Sequence, residues 1–495
     1  MTLPGVSALN ALSSAGAQRR WARVTGVFFL TLVIWQLFLS SRADTSLLPP
    51  ARQRVFKDDG AALGFVRRAN ARASLELSDS IKYTRRCIKP TTDTVSQRRT
   101  VVDSPEPLLD QPRLVNLQDS GKMDQVLGEC VPISLSVSDA YPKQEKFSHL
   151  IFGMATTYGR LRDSLESIAH WSSGRDSKLI VIVQDWVDNV YQVIQLHKTY
   201  RERGVHAIFI EPIDKSHTTS QSHFAVLTKM VQESDPETSW FGLLDDDTFY
   251  PHLKPLSDAL GALDHTKDLF VGTLSEDFIA VRNFGIQAYG GAGAYMSANL
   301  ARKLGHPEQA NQCLQEFTPD FGDIIIRDCV FHHSNARLTT LPGLYQHDLL
   351  GDMRGFFESG VEPINLHHWK NWYQAPVVAM SAATEFCGSC FLQRWLFGSN
   401  TLLSNGFSIT LYPDGLDSID LNKMERTWNQ VYPDEDPHYE WVLGALRESV
   451  PNDQRISYFL RDTEVYNGTM RQLYLRERIE DSDLADEVIE LIWRR

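Results

Sequence analysis

The sequence predicts an α/β protein built on a mostly parallel sheet flanked by helices. Three observations lead there. Short apolar runs of strand length alternate with segments of helical period between residues 147 and 273. Hydroxyl and acidic residues gather at the carboxyl ends of those runs, where open sheets of this kind hold ligands. The chain has 495 residues, 42% of them hydrophobic and 22% charged, which exceeds one ordinary core and implies two or three units.

Taken in order, the N-terminus carries the only long apolar run, Val24 to Leu39. Arg19, Arg20 and Arg23 precede it, which predicts a cytosolic tail (1–23), a membrane span (24–41) and a luminal remainder. A cleaved signal peptide is the alternative, since Ser41-Arg42-Ala43 offers small residues, but the long leading segment favours an uncleaved type II anchor. Residues 42–145 are rich in Arg, Ser, Asp, Gln and Pro with little periodicity, and read as a stem. The first 100 residues hold 16 Lys/Arg against 6 Asp/Glu, a balance of +10, so the rest carries −23 of a chain total of −13. So acidic a remainder argues against nucleic acid as a partner.

Strands are expected at His149–Thr157, Lys178–Gln184, Val205–Ile210, Trp240–Leu244 and Asp268–Thr273. Helices are expected at Arg160–Trp171, Val187–Arg203 and Ser222–Glu233, and again from about Ala298. The fourth strand ends in Asp245-Asp246-Asp247, and three adjacent carboxylates are relieved by a hard divalent cation such as Mn²⁺ or Mg²⁺, unless they form a solvated turn. Thr156, Thr157 and Asp185 fall at the ends of neighbouring strands. The glycines of Gly290-Gly291-Ala292-Gly293 have neither Rossmann nor P-loop spacing, and suit a tight turn or close backbone approach to a ligand. Asp323 opens an apolar helical stretch as a cap or a general base. His332, His333, His367 and His368 carry no distinguishing pattern.

Residues 376–495 are expected to be β-rich, with a hairpin over Phe391–Phe397 and Thr401–Tyr412 turning at Ser404-Asn405-Gly406. The six cysteines and the sequon Asn467-Gly468-Thr469 fit an oxidising lumen, and Cys387-Gly388-Ser389-Cys390 reads as a local disulfide.

Four segments in order resemble the Fringe-like β1,3-glycosyltransferases of glycosyltransferase family 31, in the fungal and plant Fringe-related branch. They are LLDDDTFY, YGGAGAYMSANLARKL, GDIIIRDC and LPGLYQHDLLGDMRGFFESGVEPINLHHW. The resemblance implies a GT-A fold over 146–375 with a β-rich extension over 376–495. It implies an inverting transfer of a hexose or N-acetylhexosamine from a UDP-sugar to a glycan, glycoprotein or glycolipid acceptor, in the Golgi or ER membrane. By the same resemblance Asp245, Asp247 and His347 hold the metal, and Asp323 is the base. Thr156, Thr157, Arg160, Asp185, Asp245, Asp246 and Gly290, Gly291, Ala292 and Gly293 border the donor. The family often has an acidic residue where this chain has Gly322, which leaves Asp320 as a rival base and a silent carbohydrate-binding or scaffold protein as the alternative function.

Overall fold

The central sheet that the apolar runs predict is present, but the chain first builds part of a second sheet. The computed structural model describes residues 63–92, 99–119, 127, 129–317, 321–431, 438–476 and 485–495. The expected tail and span lie outside the described residues, among which no helix is long and apolar enough to cross a membrane. After the helix Gly64–Ala73 come β1 (Ser80–Thr92), β2 (Val102–Ser104), β3 (Arg113–Asn116) and β4 (Pro132–Val137).

The next seven strands are β5 (Leu150–Thr156), β6 (Lys178–Val183), β7 (His206–Ile210), β8 (Trp240–Leu243), β9 (Phe270–Gly272), β10 (Ala294–Ser297) and β11 (Leu338–Thr340). They form one sheet in the order β11-β9-β10-β8-β5-β6-β7. The strands β8, β5, β6 and β7 run parallel, and β10 runs antiparallel to both β8 and β9. Side chains of β6 alternate between two cores: Leu179, Val181 and Val183 enter one, Ile180 and Ile182 the other. Such double burial requires helices on both faces, each buried Val or Ile contributing about 1.5–3 kcal/mol. The helix Thr219–Glu233 covers one face and begins with a capping box between Thr218 and Gln221. This geometry brings the carboxyl ends of β5, β6 and β8 to one edge.

The later strands are β12 (Leu350–Gly351), β13 (Arg394–Phe397), β14 (Thr401–Ser404), β15 (Ser408–Leu411), β16 (Met424–Glu425), β17 (Trp428–Asn429), β18 (Leu446–Arg447), β19 (Ile456–Tyr466), β20 (Thr469–Arg476) and β21 (Glu487–Arg494). Two small pairs, β12 with β17 and β16 with β18, stand apart. The others join β1–β4 in a ten-stranded sheet ordered β2-β13-β14-β15-β19-β20-β21-β1-β3, with β4 also on β1.

This corrects the expected stem of 42–145 and its boundary with the domains that follow. Where it is described, that segment supplies four strands of the sheet, and β1 is an inner one, zipped parallel to β21 from Lys82↔Glu487 to Ile88↔Trp493. Its polar composition concealed this structure because the charges pair within the sheet and between the sheet and the helix Gly64–Ala73 packed on it. Lys82 meets Glu487, Arg68 meets Glu464, and Arg72 meets both Asp462 and Glu464. One apolar core contains Phe152 and Trp171 as well as Trp395 and Trp493, so the 375/376 boundary does not separate two cores. Disulfides join Cys87–Cys130, Cys313–Cys329 and Cys387–Cys390. Asn467 lies exposed at the tip of the β19–β20 hairpin.

Candidate active site

The chain leaves β8 at Leu243 and enters the acidic triplet at once, and its three carboxylates are held in three different ways. Asp246 turns into the protein. Arg160 grips it through Nε–Oδ2 (2.6 Å) and Nη2–Oδ1 (2.5 Å), and the Thr156 hydroxyl donates to Oδ2. Its carbonyl accepts from Ser164 Oγ at 2.9 Å. The hydrogen bond to Asp246 is the main reason the Arg160 pKa is raised. Thr156 and Arg160, expected on the donor, thus first fasten the middle aspartate. Asp185 likewise holds local backbone, accepting from the Tyr158 amide at 2.7 Å and from Asn189, while Thr157 starts the helix Tyr158–Asp163.

Asp247 is buried and faces His367, whose Nε2 stands 3.2 Å from Asp247 Oδ1 and 3.6 Å from Asp245 Oδ2. The other ring nitrogen, Nδ1, donates to the Gln346 carbonyl at 2.7 Å, which aims Nε2 at the carboxylates. A bare lone pair pointed at two carboxylates is repelled, so Nε2 carries a proton or binds a cation. Burial alone lowers the His367 pKa, but the Asp247 and Asp245 charges carry it up to about 9. Burial raises the Asp247 pKa, yet His367 holds it below the usual carboxylate range. His368 adds its ring beside His367, stacked on Trp372 with centroids 3.5 Å apart. It sits at φ +59, a left-handed conformation disfavoured for a non-glycine residue. One ligand atom each of Asp247, His367 and His368 lie within 4.8 Å of one another. Carboxylate with imidazole is a donor set that fits Mn²⁺.

Neither His367 nor His368 stands out in the sequence, and the structure does not bring His347 into this group. His347 is fully buried against Tyr345 and Phe356, with neither ring nitrogen hydrogen-bonded. Burial first, then the nearby His367 and His368, holds its pKa well below normal. The His347 ring is held neutral among aromatic side chains, apart from the Asp247, His367 and His368 group. His367 and His368 precede Trp369, whose indole Nε1 donates to the Asp247 carbonyl at 2.8 Å and so ties this segment to the acidic triplet.

Asp323 lies in the first turn of the helix Gly322–His333, where the helix dipole favours a carboxylate. Its Oδ2 accepts from the Gly290 amide at 2.9 Å. Burial, then the charge of Asp245, raises its pKa to about 7. The glycine run explains how these parts meet. A Cβ on Gly290 would stand 2.7 Å from Asp323 Oδ1, and one on Gly291 would lie 2.1 Å from the His367 ring. Ala292 N donates to Gln346 Oε1, and Gly293 turns the chain into β10 at φ +89. The short helical turn is therefore a spacer fitted between the Asp323 carboxylate and the His367 imidazole. Asp320, the rival base, lies outside the described residues. Beneath the 345–348 loop, the Glu276 carboxylate accepts from the Gln346 (2.8 Å) and Asp348 (3.1 Å) amides, with its pKa raised to about 7 by burial.

A protein family described as "Protein of unknown function, DUF604" matches residues 282–384, a stretch that holds the glycine run, Asp323, His347, His367 and His368. No curated protein matches the chain. Solved structures show remote likeness. Mouse xyloside xylosyltransferase 1 in its apo form is 12% identical at TM-score 0.26, covering 39% of this chain and 84% of its own. An active-site mutant of LgtC is 13% identical at TM-score 0.30, covering 48% and 99%. The 4-diphosphocytidyl-2C-methyl-D-erythritol synthase of Anaerococcus prevotii is 11% identical at TM-score 0.25, covering 39% and 88%. Likeness this remote leaves the function to be argued from the site.

Proposed function

We propose that the protein is an inverting glycosyltransferase that moves a hexosyl or N-acetylhexosaminyl group from a UDP-sugar to a glycan hydroxyl, in a β1,3-linkage. The observation that carries the reading is the pairing of Asp247 with His367 within one strand-end cleft that also contains a base-like Asp323. The resemblance of the motifs to Fringe-like enzymes supports it further. Asp247, His367 and His368 would hold a divalent cation, Mn²⁺ or Mg²⁺, with Asp245 beside them. Bound there, the cation supplies charge stabilisation to a departing nucleoside diphosphate. Asp323 accepts the proton of the acceptor hydroxyl as that oxygen attacks the anomeric carbon, from the side opposite the leaving group. The Gly290 amide keeps the Asp323 carboxylate oriented for this task. Arg160, whose side chain is 60% exposed, fixes Asp246 with one edge and is open toward the nucleotide with the rest. The apolar run Val24 to Leu39, three disulfides and the exposed Asn467 support a luminal, type II placement in the Golgi or ER.

The test is UDP release by the purified luminal chain from a panel of UDP-sugars, with and without Mn²⁺ and EDTA. Metal-dependent release from one donor is expected. Absence of both release and metal-dependent UDP binding would overturn the reading.

A further inference from the structure

Most aromatic side chains among the described residues are buried or partly buried. Among the described residues, the Phe and Trp side chains that stay exposed are Phe278 (44%), Phe321 (53%) and Trp441 (42%). All three lie around one short helix, Phe278–Phe284. At its start the Phe278 ring meets Trp441 edge-on, with centroids 5.8 Å apart. At its end the Phe284 ring meets Phe321, with centroids 5.3 Å apart. The exposed Ile286 follows just beyond.

Both aromatic pairs are fastened to the site. Trp441 Nε1 donates to the Glu276 carbonyl at 2.8 Å, and the carboxylate of that same glutamate holds the 345–348 loop. Phe321 caps the helix in which Asp323 is the second residue, and Arg327 of that helix donates to the Phe284 carbonyl at 2.7 Å. The loop between Phe284 and Gly290 then closes on Asp323. Exposed rings have no structural use in a core. Beside a base that needs a hydroxyl, they suit a ligand with one apolar face and one polar face.

We propose that these two aromatic pairs are the acceptor platform, and that the acceptor is a saccharide of at least two residues. The inference rests on the glycosyltransferase reading. A β-linked hexopyranose with equatorial hydroxyls presents a face of C–H groups that stacks on an aromatic ring and leaves its hydroxyls free at the edge. The helix rise sets Phe278 and Phe284 roughly 9 Å apart along the axis, so the two pairs offer two separate ring-sized surfaces rather than one. The terminal sugar rests on Phe321 with a hydroxyl at Asp323, and the preceding sugar rests on Trp441.

The experiment uses the luminal chain with Mn²⁺, the donor that supports UDP release, and methyl β-glycosides of glucose, galactose and N-acetylglucosamine with their β-linked disaccharides. One disaccharide is expected to shift the tryptophan emission of the protein, and Trp441→Phe is expected to remove most of that shift. Trp441→Ala should raise the KM of this disaccharide about tenfold, and that of the monosaccharide far less. Tyr191→Ala, at an exposed aromatic residue elsewhere, serves as control and should leave both unchanged. An unchanged disaccharide KM in Trp441→Ala and Phe321→Ala would overturn the proposal. Binding of a Ser/Thr peptide in place of every saccharide would do so too. Lack of any metal-dependent UDP release by the unaltered protein would instead refute the parent reading.

Discussion

Strand β6 of the seven-stranded sheet buries five of its six residues, all of them apolar. Strand β1 of the ten-stranded sheet mixes Ile81, Tyr83 and Ile88 with Lys82, Arg85, Arg86 and Lys89, and pairs with a strand some 400 residues away. The first kind of strand is stabilised by the hydrophobic effect at close range in sequence. The second needs distant carboxylates before its own charges can be sheltered. Glu490, fully buried in β21, accepts from the Tyr83 hydroxyl and from Arg471 Nε at 2.6 Å. The comparison teaches that the excess of basic residues before residue 100 is partly a folding feature, matched by acidic residues at the opposite end of the chain.

The strongest way to break that comparison is truncation. A chain starting at residue 146 loses β1 to β4 and leaves the β21 edge unpaired, and should yield no cooperative melt by circular dichroism. A chain starting at residue 56 should melt as the longer protein does, and equal melts of the two truncated chains would refute the shared sheet. Next in size, Asp323→Asn removes the proposed base without touching the ten-stranded sheet. Transfer should fall by about 10³ while metal-dependent UDP binding persists. Retained transfer would move the base to Asp320 or elsewhere.

Smaller effects separate the two kinds of charge pairing. Arg160→Ala strips a buried carboxylate of its partner and should cost about 2 kcal/mol in urea unfolding. The pH dependence of metal binding follows from His367. Its folded pKa of about 9 means a cation must displace a proton at any lower pH, so affinity should rise about tenfold per pH unit until about 9. A flat profile by calorimetric titration would remove His367 from the ligand set. Arg72→Ala removes an arginine that reaches from the helix Gly64–Ala73 to Asp462 and Glu464 of the ten-stranded sheet, and should cost about 1 kcal/mol. If it proved costlier than Arg160→Ala, the ranking of the two sheets would reverse.

The same contrast explains what is legible in the sequence. The strands from Leu150 to Leu243, and the hairpin near Ser404, announce themselves by apolar period and turn chemistry, which are local properties. Asp245–Asp247 and Asp323 are legible because their residue types follow directly from those elements. The partner histidine is not. Histidine has no period, and the choice between His347 and His367 depends on which loop turns toward Asp247, a matter of tertiary packing. Asp246 has no distinct task until the structure places Arg160 and Thr156 on it. The segment 42–145 reads as a stem because Lys82, Arg68 and Arg72 look solvent-exposed until Glu487, Glu464 and Asp462 are brought beside them.

The most direct test of the site is Mn²⁺ binding followed by electron paramagnetic resonance in His367→Ala and His347→Ala, each confirmed as folded. The expected result is at least about a hundredfold loss of Mn²⁺ affinity in His367→Ala and near-normal affinity in His347→Ala. Normal binding by His367→Ala together with loss in His347→Ala would contradict the account.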